Sequence, residues 1–205
     1  MKSSLNLRGW LWLALLTIVL CAHNIRHYFW FRYAKTQKRQ VYLLAAMVFS
    51  SFKDIKGIDS VSVGFLPRPG HTDFELHKIV WEAPVAIALW GNESPLFGIS
   101  LELKPGIIEI VQLQGVSGVR LKDICPNWTA RLVQACIRFA RIEGIEQVRL
   151  LHADSRLSYY VPHFSGPVAN REEAVTNLRR RLRIIYDGTA RKLGMERKKR
   201  WSEWP

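Results

Sequence analysis

Cysteine is scarce in this 205-residue chain: Cys21, Cys125 and Cys136 are the only three, and none lies at metal-ligand spacing. That excludes a disulfide scaffold and a cysteine-built zinc site. An odd count with one member inside an apolar run points to thiols in a reducing compartment. Acidic residues are missing from residues 1–40, which hold seven Lys and Arg. The strongest apolar run, Gly9 to Ala22, has 14 residues, short of the ~20 an unaided bilayer span requires. A strong catalytic signature is lacking too. His152, Asp154 and Ser155 stand almost in a row, whereas a triad is assembled from distant segments. His71 and His77 lie near Asp73 and Glu75 without a metal-binding pattern, so no metal site is expected.

The charge that is present sits at the ends. The formal net charge is +13; residues 41–170 carry twelve basic and twelve acidic residues, and residues 171–205 carry eleven basic against five acidic. A neutral body with positive ends fits attraction to an anionic membrane or to nucleic acid. Nucleic acid is the weaker partner, because the Arg179, Arg180, Arg181 and Arg183 cluster has no aromatic-and-basic recognition motif around it. The bland alternative for that cluster is a solvated helix face. No protein partner is indicated.

Three readings compete for the N-terminus. A basic start and a short apolar run fit a signal peptide, but a cut after Ala22 places Leu20 where a small residue is wanted. The run could instead be a helix buried in the domain. The favoured reading is a membrane anchor in which an apolar helix continues through His23-Asn24-Ile25 into Tyr28, Phe29, Trp30, Phe31 and Tyr33. Aromatics mixed with Arg26, Arg32 and Lys35 suit the interface zone. The basic excess on the carboxyl side of the run leaves the body in the cytoplasm. Residues 1–40 then form an anchor with a basic-aromatic flank, and residues 41–205 a single domain.

Val41 to Phe52 reads as a short helix packed on a sheet. Ile58–Leu66, Phe74–Trp81, Pro84–Trp90, Leu96–Leu103 and Ile107–Gln114 read as strands. Pro67 to Gly70, Gly91-Asn92 and Pro105-Gly106 supply turns, which makes successive hairpins. The periodicity changes at Asn127–Ile142, where Trp128, Leu132, Val133, Cys136, Ile137 and Ala140 recur at helical spacing before Gly144; Val148–Leu151 is again a strand. A strand–helix–strand unit with short links predicts two parallel strands with the helix on the sheet. After a loop over Asp154–Asn170, Glu172–Leu193 reads as a helix and Met195–Trp204 as an edge strand. The fold class is α+β, with a mixed, largely antiparallel sheet. Gln112 and Gln114 share one strand face, and two adjacent amides need partners, so that strand end is the first place to seek a site.

Residues 109–196 carry Leu113-Gln114-Gly115 at a strand end, Pro126 before an apolar helix ending in Gly144-Ile145, His152 after the next strand, and Tyr186-Asp187 ahead of Leu193-Gly194. In these features the chain resembles the VirK/YbjX family of bacterial proteins, which carries Trp where this chain has Ala190. The resemblance implies an envelope-associated protein linked to virulence and resistance to cationic peptides, with no firm reaction assigned. Its candidate site residues are Gln114, His152, Tyr186 and Asp187. More distantly, Gln112-Leu113-Gln114-Gly115-Val116-Ser117 is similar to the acyl-CoA-binding loop of GNAT-type N-acetyltransferases. That likeness implies a GNAT-like fold, acetyl-CoA or another acyl-CoA as cofactor, and a pyrophosphate cradle at Gln112, Gln114, Gly115, Ser117 and Gly118. The late Tyr of that family falls on Ala190.

Overall fold

The computed structural model describes residues 7–66, 81–116, 119–155 and 170–204. The chain begins with two helices, α1 (Leu7–Thr36) and α2 (Lys38–Ser50). An antiparallel meander follows: β1 (Ser60–Phe65), β2 (Val85–Gly91), β3 (Ser94–Lys104) and β4 (Ile107–Gly115). The β2–β3 turn places Asn92 and Glu93 at φ of 50° and 61°, and the β3–β4 turn uses Gly106 at φ 70°, backbone that glycine adopts without a Cβ clash. A short helix α3 (Leu121–Ile124), helix α4 (Trp128–Glu143) and β5 (Gln147–Leu151) come next. A 3-10 turn at Ala153–Ser155, helix α5 (Arg171–Lys192), β6 (Glu196–Arg197) and β7 (Trp201–Trp204) complete the order.

The strands form one mixed sheet in the order β1-β2-β3-β4-β5-β7-β6, antiparallel except where β4 meets β5. The fold is therefore α+β with a largely antiparallel sheet, and the strand–helix–strand unit is β4–α4–β5. One expectation needs correction. The C-terminal segment is not a single edge strand: Lys198 N–H bonds the Trp201 carbonyl, folding the segment into a hairpin. Its second arm, β7, lies inside the sheet between β5 and β6. The link from β4 to α4 holds the short helix α3. The Pro67–Gly70 turn, the Phe74–Trp81 strand except its last residue, and residues 156–169 lie outside the described residues, as do His71, Asp73, Glu75 and His77.

One sheet face is closed by α2, α4 and α5. Phe97 packs with both Phe52 and Trp128, whose ring centroids lie 5.2 and 5.1 Å away. The rings, together with Leu44, Val48, Leu132, Val133 and Phe139, make the centre of a core that runs the width of the sheet. The spacing that predicts α4 also decides its face: Leu132, Val133, Cys136, Phe139 and Ala140 turn inward. β3 is buried along both faces, so the opposite face is covered as well. There the second half of α1 crosses β3, and Leu66, Trp81, Ala86 and Ala88 form a second apolar cluster. Gly98 is required at that crossing, because a Cβ would stand 2.6 Å from the Trp81 ring and 2.5 Å from the Ile87 carbonyl oxygen.

α1 runs without interruption through His23-Asn24-Ile25. Arg26 ion-pairs with Glu102 at 2.8 Å, and a His27 ring nitrogen lies 2.8 Å from the Leu66 carbonyl oxygen, so this part of α1 is tied to the sheet. Among the described residues no helix is long and apolar enough to cross a membrane.

Candidate functional site

β4 and β5 pair only over Ile107–Ile110 and Gln147–Leu150, after which β4 continues to Gly115 without that neighbour. Backbone donors along a buried strand must find partners. At Leu113 the partner is a side chain: the Tyr186 hydroxyl accepts from the Leu113 N–H at 2.9 Å and lies 3.4 Å from its carbonyl oxygen. Tyr186 is 1% exposed. The next residue on α5, Asp187, turns the other way, and its Oδ1 accepts from the Ala153 N–H at 3.3 Å, just after β5. Successive helical residues diverge by about 100°, so this pair grips β4 with one member and the end of β5 with the other. α5 thereby fixes the divergence of the two parallel strands.

The amide pair has its own partners. Gln112 is 3% exposed; its Oε1 accepts from the Glu82 N–H at 3.1 Å and the Ser100 hydroxyl at 3.2 Å, while its amide nitrogen bonds Gln114 Oε1. Gln112 thus stitches β4 to β3 and to the chain entering β2. Gly115 is explained by packing: a Cβ there would run into the Leu121 side chain, with Trp128 also within contact distance. α3 carries Leu121 into the core, and Cys125 follows it there just after the helix, ahead of α4. Asn127, at φ 65°, provides no side-chain cap for α4. Ser117 and Gly118 lie outside the described residues. Gln112, Gln114 and Gly115 therefore share one strand end with Tyr186 but present packed, bonded groups.

His152 lies beyond the other strand, on the side to which Asp187 turns. It is 2% exposed, with Nε2 3.1 Å from Ser202 Oγ on β7. Its Nδ1 is shut from solvent with no partner of hydrogen-bonding geometry among the described residues. Burial, and then the positive charge of Arg197, lower its pKa, opposed by Asp154, Asp187 and a backbone contact with Trp201. The imidazole is thus held neutral at pH 7. Ser155 follows on the 3-10 turn, and its N–H bonds the His152 carbonyl. His152, Asp154 and Asp187 line one cleft with Arg197 and Ser202. Arg197 and Ser202 escape sequence reasoning because only the hairpin brings them to His152. The available signal was the basic run Arg197 to Arg200 preceding a short β-rich tail.

A buried charge network also escapes it. Glu102 and Glu109 are directly opposed across β3 and β4, an arrangement that repels unless cations intervene. Lys104 contacts both, Arg26 bonds Glu102, and Arg149 reaches Glu109 at 3.3 Å. Burial works to raise the Glu102 pKa, but the bond and charge of Arg26, followed by Lys104, bring it below the ordinary carboxylate value. Among the described residues no group of three His, Cys, Asp or Glu could hold a metal ion. No protein-family model matches the chain, and no characterised protein matches it in sequence.

Proposed function

We propose that this is a membrane-attached, VirK/YbjX-like binding protein that holds its α+β domain against an anionic leaflet. The outer face of α1 carries the reading. Ile18, Ile25 and Phe29 recur at helical spacing and are 65%, 71% and 60% exposed, while His27 and Ala34 on the far side are buried. Tyr28 and the basic residues Arg32 and Lys35 edge this stripe. An apolar helical stripe left in water beside Arg and Lys suits the boundary of headgroups and acyl chains. The apolar run Gly9–Ala22 leads into this face and would insert first, with the body remaining on the cytoplasmic side. Cell fractionation of the full chain tests the proposal. The expected result is recovery with membranes after a high-salt wash; recovery in the soluble fraction refutes it.

One observation favours a second reading, a diverged GNAT-type acyltransferase with a GNAT-like fold. The divergence of β4 from β5 is the kind of opening in which the pantetheine arm of an acyl-CoA could pair with a strand edge. The first reading is preferred because the groups such a site would recruit are engaged elsewhere. Tyr186 bonds Leu113, Asp187 bonds Ala153, Gln112 bonds Glu82 and Ser100, and His152 contacts Ser202. A binding protein needs none of them as a proton donor.

A further inference from the structure

We propose that α2 is a second docking surface for acidic phospholipid, so that the domain rests on the leaflet through two helices and does not hang from α1 alone. The inference rests on the reading of α1 as a membrane contact. Gln37 is the one residue between the helices, at φ −97° and ψ 24°. Hydrogen bonds run across it: its N–H reaches the Tyr33 and Ala34 carbonyls, and its own carbonyl accepts from the Val41 N–H. α1 and α2 thus follow one another as a bent rod. One side of the rod meets the domain, burying His27, Phe31 and Ala34 of α1 and Val41, Leu44 and Val48 of α2. Along the other side Ile25, Phe29, Arg32, Thr36, Arg39 and Leu43 recur in steps of four and three residues, the spacing of one helix face. All six are exposed.

Bare apolar surface is concentrated on this rod. Among the described residues eight large hydrophobic side chains are exposed, and Ile18, Ile25, Tyr28, Phe29, Tyr42 and Leu43 belong to α1 and α2. The other two, Ile142 and Ile184, stand singly on α4 and α5, which is ordinary for a protein surface. The charge on the rod selects the partner. Residues 7–50 hold six basic residues and no acidic one. Arg32 donates to the Tyr28 hydroxyl at 3.5 Å, and Lys35 lies 4.8 Å from the Phe31 ring centre; neither contact neutralises the cation. Lys38 and Arg39 open α2 and are exposed. Two copies of the rod packed together would set cation against cation, which disfavours a second copy as the occupant. Negative headgroups above acyl chains satisfy the cations of α2 and cover Tyr42 and Leu43 at once.

Full-length protein carrying one nitrobenzoxadiazole label tests this in vesicles of phosphatidylglycerol or phosphatidylcholine. Three forms are compared: a label on native Cys21, and labels on Leu43→Cys and Ile142→Cys in a Cys21→Ser background. In phosphatidylglycerol vesicles the labels at positions 21 and 43 should both be shielded from the aqueous quencher dithionite, with the label at 142 open to it. In phosphatidylcholine, or at high salt, the label at 43 should open while that at 21 stays shielded, because the cations of α2 act through screened attraction. Lys38→Gln and Arg39→Gln should each shift the shielded-to-open ratio at position 43 about fivefold towards open. A shielded label at 21 with an open one at 43 in every vesicle overturns the second contact and leaves the reading of α1 standing. Open labels at both positions overturn both. Shielding at 43 in vesicle-free solution, with a doubled mass, assigns the stripe to a second copy and likewise overturns the proposal.

Discussion

Replacing Tyr186 with Phe removes one oxygen and nothing else. The ring is 1% exposed and packed in the core, so Phe fills almost the same volume and no sizeable cavity opens. What disappears is the acceptor for the Leu113 N–H at 2.9 Å. β5 has ended its pairing three residues earlier, at Ile110, so no strand carbonyl is at hand to replace it. An unsatisfied buried amide costs about 1–3 kcal/mol. For a chain of this size, a loss of about 2 kcal/mol corresponds to a fall in Tm of roughly 4–8 °C. Tyr186→Ala, which also empties the ring's volume, should cost about 3–5 kcal/mol, by comparison with other aromatic truncations. Thermal unfolding of the three proteins measures the series, and amide hydrogen exchange at Leu113 reports the site directly. Exchange there should quicken in Tyr186→Phe, while Ile108 and Ile110, held by β3 and β5, keep their protection. If Tyr186→Phe melts with the parent and Leu113 exchange is unchanged, the hydroxyl does not complete the strand edge and the wedge role assigned to α5 is wrong.

The charge network makes stability depend on acid. A carboxyl whose folded pKa lies below its unfolded value stabilises the fold above the unfolded value, and that contribution is lost as pH falls through the folded one. Glu102→Gln should therefore destabilise the protein at pH 7 and lose its difference from the parent below the carboxylate range. The difference should be about 1 kcal/mol, because the Arg26 side chain is 49% exposed and solvent screens it. Chemical denaturation at several pH values checks this, and a gap that widens in acid would contradict the assignment. The thiols should also sort by burial. Cys136 is fully enclosed and its pKa is pushed up to about 12, whereas Cys21 is exposed. A thiol reagent at pH 8 should thus label Cys21 quickly and Cys136 only after unfolding. Equal labelling rates in the native protein would refute the placement.

The parts of the fold legible in the sequence were those governed by local chemistry. Gly91-Asn92 and Pro105-Gly106 announced the two tight turns, and each turn does adopt positive φ. The spacing of Leu132, Val133, Cys136 and Ala140 gave both α4 and its buried face. The insertion of β7 between β5 and β6 was not legible, because pairing depends on edges that exist only once the sheet has formed. α3 is four residues long, too short for a periodic signal. The shared strand face of Gln112 and Gln114 makes the need of their amides for partners legible. Sequence could not say that Gln112 would bond Glu82, 30 residues earlier, or that Tyr186 would reach Leu113 across 73 residues. At Gly115 the structure supplies a packing reason for glycine that sequence does not show, because a Cβ there would meet the Leu121 side chain.

The two functional readings part at Tyr186. A pantetheine arm pairing with β4 beyond Ile110 would compete for the Leu113 N–H and carbonyl that the hydroxyl already contacts. Tyr186 would have to withdraw, and the Asp187 contact with Ala153 one residue along α5 opposes that movement. Turning α5 enough to free Tyr186 also disturbs the Thr189–Thr129 hydroxyl bond of 2.7 Å that joins α5 to α4. The acyltransferase reading thus requires a coupled shift of α5, with cofactor binding supplying its free energy. The binding-protein reading asks for no movement of α5, since its membrane contact is made by the outer face of α1. Adding acetyl-CoA while following Leu113 exchange separates them. Loss of the Tyr186 contact with new protection of β4 would support the enzyme, whereas an unchanged α5 leaves the strand edge closed to acyl-CoA.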